Sequence, residues 1–530
     1  MTKGHQFLEE QPVQACKVFT GKKRFIKLVF VTARQKSVSH SRFLCRRLAI
    51  LLLLSLFTAG YGCSKSSGNA GQPTTPPEDS TPVTQPPVKT DVSLWLTTGD
   101  KRALFEKQDV SLLFSKTGNG NPTITVDTTQ TFQSIDGFGY CLTGGSAYLL
   151  YRLPADKRSA LLHELFSTDS TFIGVSYLRV SIGASDLSQN VFSYDDIPAG
   201  QTDTTLKYFD LGPDTYSLIP LLKEIIAIDP GIQILGSPWS APAWMKTNNS
   251  PRGGSLNPKY YGVYAHYFVK YIQEMEAHGI HINAITPQNE PLNPNNNPSM
   301  VMQATEQADF IKNDLGPAFE AAGLDTKIII YDHNCDRPDY PLTILKDPDA
   351  RKYVDGSAFH LYAGNISALS EVHQAYPDKN VYFTEQWTGG PGDFPTDLSW
   401  AVGNLIIGAT RNWSRNVLEW NLASDPNYAP HTPGGCSNCM GALTIGSTVI
   451  RNVSYYIIAS AAKFVRPGSV RIGSNIAGNL QNVAFKTPDG KKVLIVLNNT
   501  GGTLPFNISF DGKTVATSLD GKSVGTYVWE

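Results

Sequence analysis

At 530 residues, with 41% hydrophobic and 10% aromatic side chains, the chain has ordinary globular composition and is too long for one small core. Its formal net charge of −1 conceals an asymmetry: residues 1–63 hold eleven Lys/Arg against two Glu, leaving 34 against 44, a balance of −10, for the remainder. An acidic body argues against nucleic acid or any other polyanionic partner.

The basic stretch ends at Arg46-Arg47 and enters a twelve-residue apolar run, Leu48 to Ala59, followed by Gly60-Tyr61-Gly62-Cys63. That run is too short to span a bilayer and reads as a signal peptide. Small residues before Cys63 and a polar tail after it resemble a bacterial lipoprotein signal, with Cys63 lipidated; plain cleavage and an uncleaved anchor stay open. The expected location is exported, as an outer-membrane lipoprotein at the cell surface or in the periplasm, touching membrane only through the lipid. Residues 64–90, rich in Pro, Thr and Ser, cannot bury enough apolar surface to fold and read as an extended tether.

Over residues 91–130 come strand-like runs at Val92 to Leu96, Val110 to Phe114 and Pro122 to Val126, with no long helix between them. From residue 131 short apolar strands alternate with helical patterns, the mark of β/α units. Eight strands are predicted: Phe132 to Gly139, Val175 to Ile182, Ile232 to Pro238, Ile282 to Gln288, Lys327 to Tyr331, Gly356 to Leu361, Val381 to Glu385 and Asn416 to Asn421. Helices are predicted over Lys157 to Phe166, Ile219 to Ile228 and Tyr260 to His278. Eight units over about 300 residues fit a (β/α)8 TIM barrel across 131–445, with a doubly wound open sheet as the rival. Residues 446–530 return to strands punctuated by Asp489-Gly490, Asp511-Gly512 and Asp520-Gly521, so an attached β-sandwich is expected from the N- and C-terminal strands together.

The C-terminal ends of barrel strands face the active site. Read in that way, strand two offers Arg179, with Ser185 and Asp186 beyond; strand three, Trp239 and Trp244; strand four, Asn289 and Glu290; strand six, His360 and Tyr362; strand seven, Glu385 and Trp387; strand eight, Glu419, Trp420 and Asn421. Two carboxylates among Trp, Tyr, His and Asn suit glycosidic cleavage, in which one carboxyl protonates the leaving oxygen and the other meets the anomeric carbon. Taken singly, each Glu reads as well as a surface ion-pair partner.

The runs Gly236-Ser237-Pro238-Trp239-Ser240-Ala241-Pro242-Ala243-Trp244, Gln288-Asn289-Glu290-Pro291, Phe359-His360-Leu361-Tyr362, Phe383-Thr384-Glu385-Gln386-Trp387 and Glu419-Trp420-Asn421-Leu422 resemble glycoside hydrolase family 30, which includes glucocerebrosidase-like enzymes, endo-β-1,6-glucanases and xylanases. The opening Ser93-Leu94-Trp95-Leu96-Thr97-Thr98 resembles Bacteroidetes members. The resemblance implies a barrel with a β-sandwich, retaining stereochemistry, and neither metal nor cofactor. It makes Glu290 the acid/base and Glu385 the nucleophile, sets Asn289 at the sugar 2-hydroxyl, and has Arg179, Trp239, His360, Tyr362, Trp420 and Asn421 line or support the first sugar subsite, with Trp387 as a further substrate contact. Arg179 is expected to keep Glu385 ionised while a more apolar setting raises Glu290. After the first strand, Leu142-Thr143-Gly144-Gly145 lacks the acidic residue of glucocerebrosidase-type members, so a grip on distal hydroxyls is expected to be missing at Gly144. The expected partner is therefore a β-glucan polysaccharide or oligosaccharide, cut as by an endo-β-1,6-glucanase; a glucosylceramidase or other exo-β-glycosidase, and an inactive glycan-binding protein, are the alternatives.

Cys436-Ser437-Asn438-Cys439 lies in a Gly/Pro-rich loop. In an exported protein a local disulfide is expected there, with free thiols and a metal site as rivals. Asp332-His333-Asn334-Cys335-Asp336 reads as a substrate-contacting loop.

Overall fold

The computed structural model describes residues 89–530. The leader, Cys63 and residues 64–88 of the tether lie outside the described residues. Eight parallel strands close into a barrel: β1 (Gly137–Cys141), β2 (Tyr177–Ser181), β3 (Gln233–Ser237), β4 (Ala284–Ile285), β5 (Lys327–Cys335), β6 (Val354–Gly364), β7 (Asn380–Glu385) and β8 (Ser414–Asn421). Pairing of β8 with β1, Asn416 opposite Gly137 and Val417 opposite Phe138, closes the ring and excludes an open sheet. Tyr177, Leu235, Ala284, Ile329, Ala358, Tyr382 and Leu418, one from each of seven strands, fill the interior as a single buried cluster. Gly139 permits the close approach of β1 to β2, since a Cβ there would lie 1.8 Å from the Tyr177 carbonyl oxygen.

The sequence places the first strand too early. Thr123–Ser134 is one twelve-residue strand of the sandwich, and the barrel begins only at Gly137. The other boundary also moves: Val453–Ala462 is a helix rather than sandwich, and the next sandwich strand starts at Val470. All ten residues of that helix are buried. It is covered on both sides, with Tyr140 of β1 donating to the Ser454 carbonyl (3.1 Å) and Thr526 of the sandwich to that of Ser460 (2.7 Å).

The sandwich draws on both ends of the described residues. Ser93–Thr98 pairs antiparallel with Ser523–Trp529, which pairs in turn with Lys492–Asn498. Thr123–Ser134 passes between layers, parallel to Leu504–Phe510 at its start and antiparallel to Val470–Ser474 further on. In Lys492–Asn498, Leu494 and Val496 face the sandwich core while Val493, Ile495 and Leu497 join the barrel's core. Burial on both faces explains why this run is apolar without alternation. Val110 to Phe114 is not a strand. Val110 and Leu113 are exposed, and Leu112 is held outside any ladder, its carbonyl accepting from the amides of Asp91 and Val92.

Candidate active site

At the C-terminal ends of the barrel strands lies a cavity of about 270 Å3, bounded in part by Trp239, Glu290, Tyr362, Glu385, Trp387 and Trp420. Trp239 and Trp420 stack with centroids 5.3 Å apart, giving the apolar wall that the C–H face of a sugar requires. The indole Nε1 of Trp239 is buried with no acceptor among the described residues.

Glu385 ends β7. Its Oε2 accepts from Arg179 Nη1 at 2.6 Å and its Oε1 from the Tyr362 hydroxyl at 3.0 Å. Glu290 follows the short β4 in a left-handed conformation, φ +43°, one in which a non-glycine residue is strained. Its amide donates to the carbonyl of Asp332 (3.0 Å), itself at φ +64°. Oε1 of Glu290 faces His360 Nδ1 at 3.4 Å, and Oε2 accepts from Asn293 Nδ2 at 2.7 Å and Asn296 Nδ2 at 3.2 Å. A carboxylate oxygen of Glu290, one of Glu385 and a ring nitrogen of His360 all lie within 4.8 Å of one another. Among the described residues this trio alone has a donor geometry able to hold a metal ion, yet its atoms are already engaged in hydrogen bonds.

Three of the residues expected to line or support the first sugar subsite, Arg179, His360 and Asn421, stand behind the wall in supporting places. Arg179 is fully buried, and its Nη2 donates to Asn289 Oδ1 (2.6 Å), Asp332 Oδ2 (2.8 Å) and Ser237 Oγ (3.2 Å). Committing the Asn289 oxygen in this way leaves only its amide hydrogens for a ligand. His360 is buried between Glu290 and Asp332, whose Oδ1 lies 3.1 Å from Nε2. Asn421 is spent on structure: its Oδ1 accepts from Ser146 Oγ (2.8 Å) and its Nδ2 donates to the Cys439 carbonyl (3.3 Å). Trp244 and Glu419 are also away from the cavity; Trp244 donates to Asp195, and Glu419 is buried with Oε2 on the Thr388 hydroxyl (3.3 Å).

Sequence reasoning underrated Asp332 and Asp186. Asp332 is no loop residue touching substrate; it is a buried hub of β5 that also accepts from Ser237, Thr286 and Thr384. Asp186 lines the cavity, and its Oδ2 accepts from the Cys436 amide at 3.2 Å. Gly144 starts the helix Gly144–Tyr151 and packs on Ser188. Cys436 and Cys439 form a disulfide, and both line the cavity with Asn438. No spacing rule could have placed these loops together, because contacts from after β2 and β8 form the wall.

The acid–base balance reverses the expectation for Glu290. Burial, the largest single influence, pushes Glu290 up, but the hydrogen bond and charge of His360, with His333 and Asn293, outweigh it and leave the group lowered to about 2. His360 is raised to about 9: burial opposes the charge, while Glu385, Asp332 and Glu290 favour it. Glu385 is raised because burial exceeds the help of His360 and Arg179. His360 and Glu290 therefore titrate as a unit, a pair that holds one proton between two sites.

The glycosyl hydrolase family 30 TIM-barrel domain model matches residues 135–465, and the family 30 beta sandwich domain model matches residues 468–527. An endo-1,6-beta-D-glucanase of Neurospora crassa is 38% identical over 75% of this chain and 85% of its own length. Putative glucosylceramidase 4 of Caenorhabditis elegans is 32% identical over 73% and 78%. The solved structure of the endo-beta1,6-glucanase BT3312 superposes with a TM-score of 0.78 at 38% identity, covering 83% of this chain and 99% of that one.

Proposed function

The chain belongs to glycosyl hydrolase family 30 and is a retaining glycoside hydrolase, and on that premise we propose that it cuts β-1,6-linked glucan internally, with Glu385 as nucleophile and Glu290 as acid/base. The observation that carries the retaining pair is a carboxylate oxygen of Glu290 within 4.8 Å of one of Glu385, and the roles are supported by their settings, Glu385 held by Arg179 and Tyr362 and Glu290 facing Asn293 and Asn296. Direct attack on the sugar needs carboxyl groups about 5–5.5 Å apart, whereas inversion needs about 6.5–9.5 Å to admit a water.

In the first step a Glu385 oxygen bonds to the anomeric carbon as the glycosidic C–O bond breaks, and Glu290 gives its proton to the departing oxygen. Water then attacks the glycosyl–enzyme ester; Glu290 takes the water's proton and Glu385 leaves. Tyr362 and Arg179 hold Glu385 from either oxygen, so the nucleophile approaches in one orientation.

The choice of β-1,6-glucan is supported by the glucanase relatives. Purified protein is expected to release reducing ends from β-1,6-glucan in preference to β-1,3-glucan, xylan, glucosylceramide and aryl glucosides; silence on β-1,6-glucan with cleavage of another member of the panel would end this reading. Glu385→Ala with azide is expected to yield an α-glycosyl azide, and a β product would exchange the two roles. A glucosylceramidase or exo-β-glycosidase reading is favoured by one feature: the loops after β2, β4 and β8 are tied together beside the cavity, through Thr432 N to the Asp186 carbonyl (2.8 Å) and Asn297 Nδ2 to the Pro433 carbonyl (2.9 Å). Glucose as the sole early product would select it. The proposal extends to a lipid tether at Cys63, under which Cys63→Ser moves the protein from the membrane fraction to the soluble one.

A further inference from the structure

The two oxygens of Glu290 face different surroundings. Oε1 looks into the buried histidines, with His360 Nδ1 at 3.4 Å and His333 Nε2 at 4.0 Å. Oε2 receives two amides, and a carboxylate oxygen has two lone pairs to offer. A glycosidic oxygen that is to take a proton from Oε2 must therefore displace one of them.

The two amides are not held alike. Asn293 is locked: its amide N donates to the Glu290 carbonyl (2.9 Å), its Oδ1 accepts from Asn295 N (3.0 Å), and its Nδ2 makes the shorter bond to Oε2. Asn296 lines the cavity, makes the longer bond, and its side chain has no other partner among the described residues. The backbone beside it is fixed from across the barrel mouth, since Asn297 Nδ2 donates to the Pro433 carbonyl (2.9 Å) and the Asn297 carbonyl accepts from Thr432 Oγ1 (2.5 Å). The side chain of Asn296 is thus the movable part of an anchored loop.

We propose that Asn296 is a specificity residue for the leaving-group sugar: its amide rests on Glu290 Oε2 in the free enzyme and transfers to a hydroxyl of the departing sugar in the complex, clearing that oxygen for the glycosidic bond. This deepens the reading above and rests on Glu290 being the acid/base. An aryl leaving group has no hydroxyl to receive the amide, so it gains nothing from Asn296.

The test compares Asn296→Ala with wild type on a linear β-1,6-gluco-oligosaccharide and on a dinitrophenyl β-gentiobioside, and measures transfer to gentiobiose against hydrolysis from the aryl donor. One lost hydrogen bond corresponds to roughly two- to tenfold. The expected result is that loss in kcat/KM on the oligosaccharide, a change under about twofold on the aryl substrate, and a fall in the transfer-to-hydrolysis ratio by a similar factor. Equal losses on both substrates, or an unchanged transfer ratio, overturn the proposal. Glu290→Ala separates the two layers: if it lowers kcat/KM on the aryl substrate as much as on the oligosaccharide, the acid/base reading fails, whereas the transfer ratio of Asn296→Ala judges Asn296 alone.

Discussion

His360 Nδ1 lies 3.4 Å from Glu290 Oε1 while its Nε2 lies 3.1 Å from Asp332 Oδ1, so one imidazole bridges two buried carboxylates. Asp332 is itself held by Arg179, which also holds Glu385. Glu290 and Glu385 are thereby linked through a single network of hydrogen bonds and charges.

That network sets a pH dependence. With His360 raised to about 9 and Glu290 lowered to about 2, the pair keeps its one proton across neutral pH and gives it up as pH rises through about 9. In His360→Ala the main influence lowering Glu290 is gone, so burial, which favours the neutral acid, is opposed by His333 and Asn293, and Glu290 must carry the proton itself. The alkaline limb of kcat/KM on an oligosaccharide is expected to move to lower pH. A limb at the wild-type position would show that His360 holds no part of the proton.

Arg179→Lys tests the geometry of the hub rather than its charge. A single ammonium cannot reach Glu385, Asn289 and Asp332 as the planar guanidinium does. We expect kcat to fall on the order of a hundredfold with the charge preserved. Arg179→Met, which leaves Asp332 and Glu385 without their cation, is expected to cost about 3–5 kcal/mol of stability, read as a lower denaturant midpoint.

Glu419 gives a stability prediction with a definite sign. Burial pushes its carboxyl up to about 8, well above its ordinary 4.5, so the folded state favours the neutral form. Its stabilising influence is complete below about pH 4.5 and is lost as pH rises through about 8. Glu419→Gln, neutral throughout and still able to accept from Thr388, is expected to match wild-type Tm at pH 4.5 and exceed it at pH 8.5. A constant difference across that range would assign the effect to packing.

The Cys436–Cys439 disulfide closes only a short loop, since the two residues are three apart in sequence. Loop entropy for so small a ring is about 2 kcal/mol, at the low end for a disulfide. Its larger consequence lies at the cavity, where the Cys436 amide holds Asp186 and the Cys439 carbonyl holds Asn421. The double substitution Cys436→Ser, Cys439→Ser is expected to raise KM severalfold while moving Tm by only a few degrees; a collapse of Tm with KM unchanged would make the bridge purely structural.

The barrel and its two central carboxylates were legible from the sequence because they rest on local patterns. Apolar runs of strand length separated by helical periods, as at Leu218–Ile228 and Tyr261–Ala277, predict β/α units, and Glu290 and Glu385 stand where such runs stop. What the sequence could not decide is which side chains face the sugar and which stand behind it. Arg179, His360 and Asn421 carry the same residue types whether they touch a ligand or a neighbour, and only the closed ring shows that their polar atoms are spent on Glu385, Asp332 and Ser146. The protonation of Glu290 was misjudged for the same reason. Burial could be inferred from its surroundings in sequence, but the charge that outweighs it comes from His360, seventy residues away and brought to 3.4 Å by the closing of the barrel.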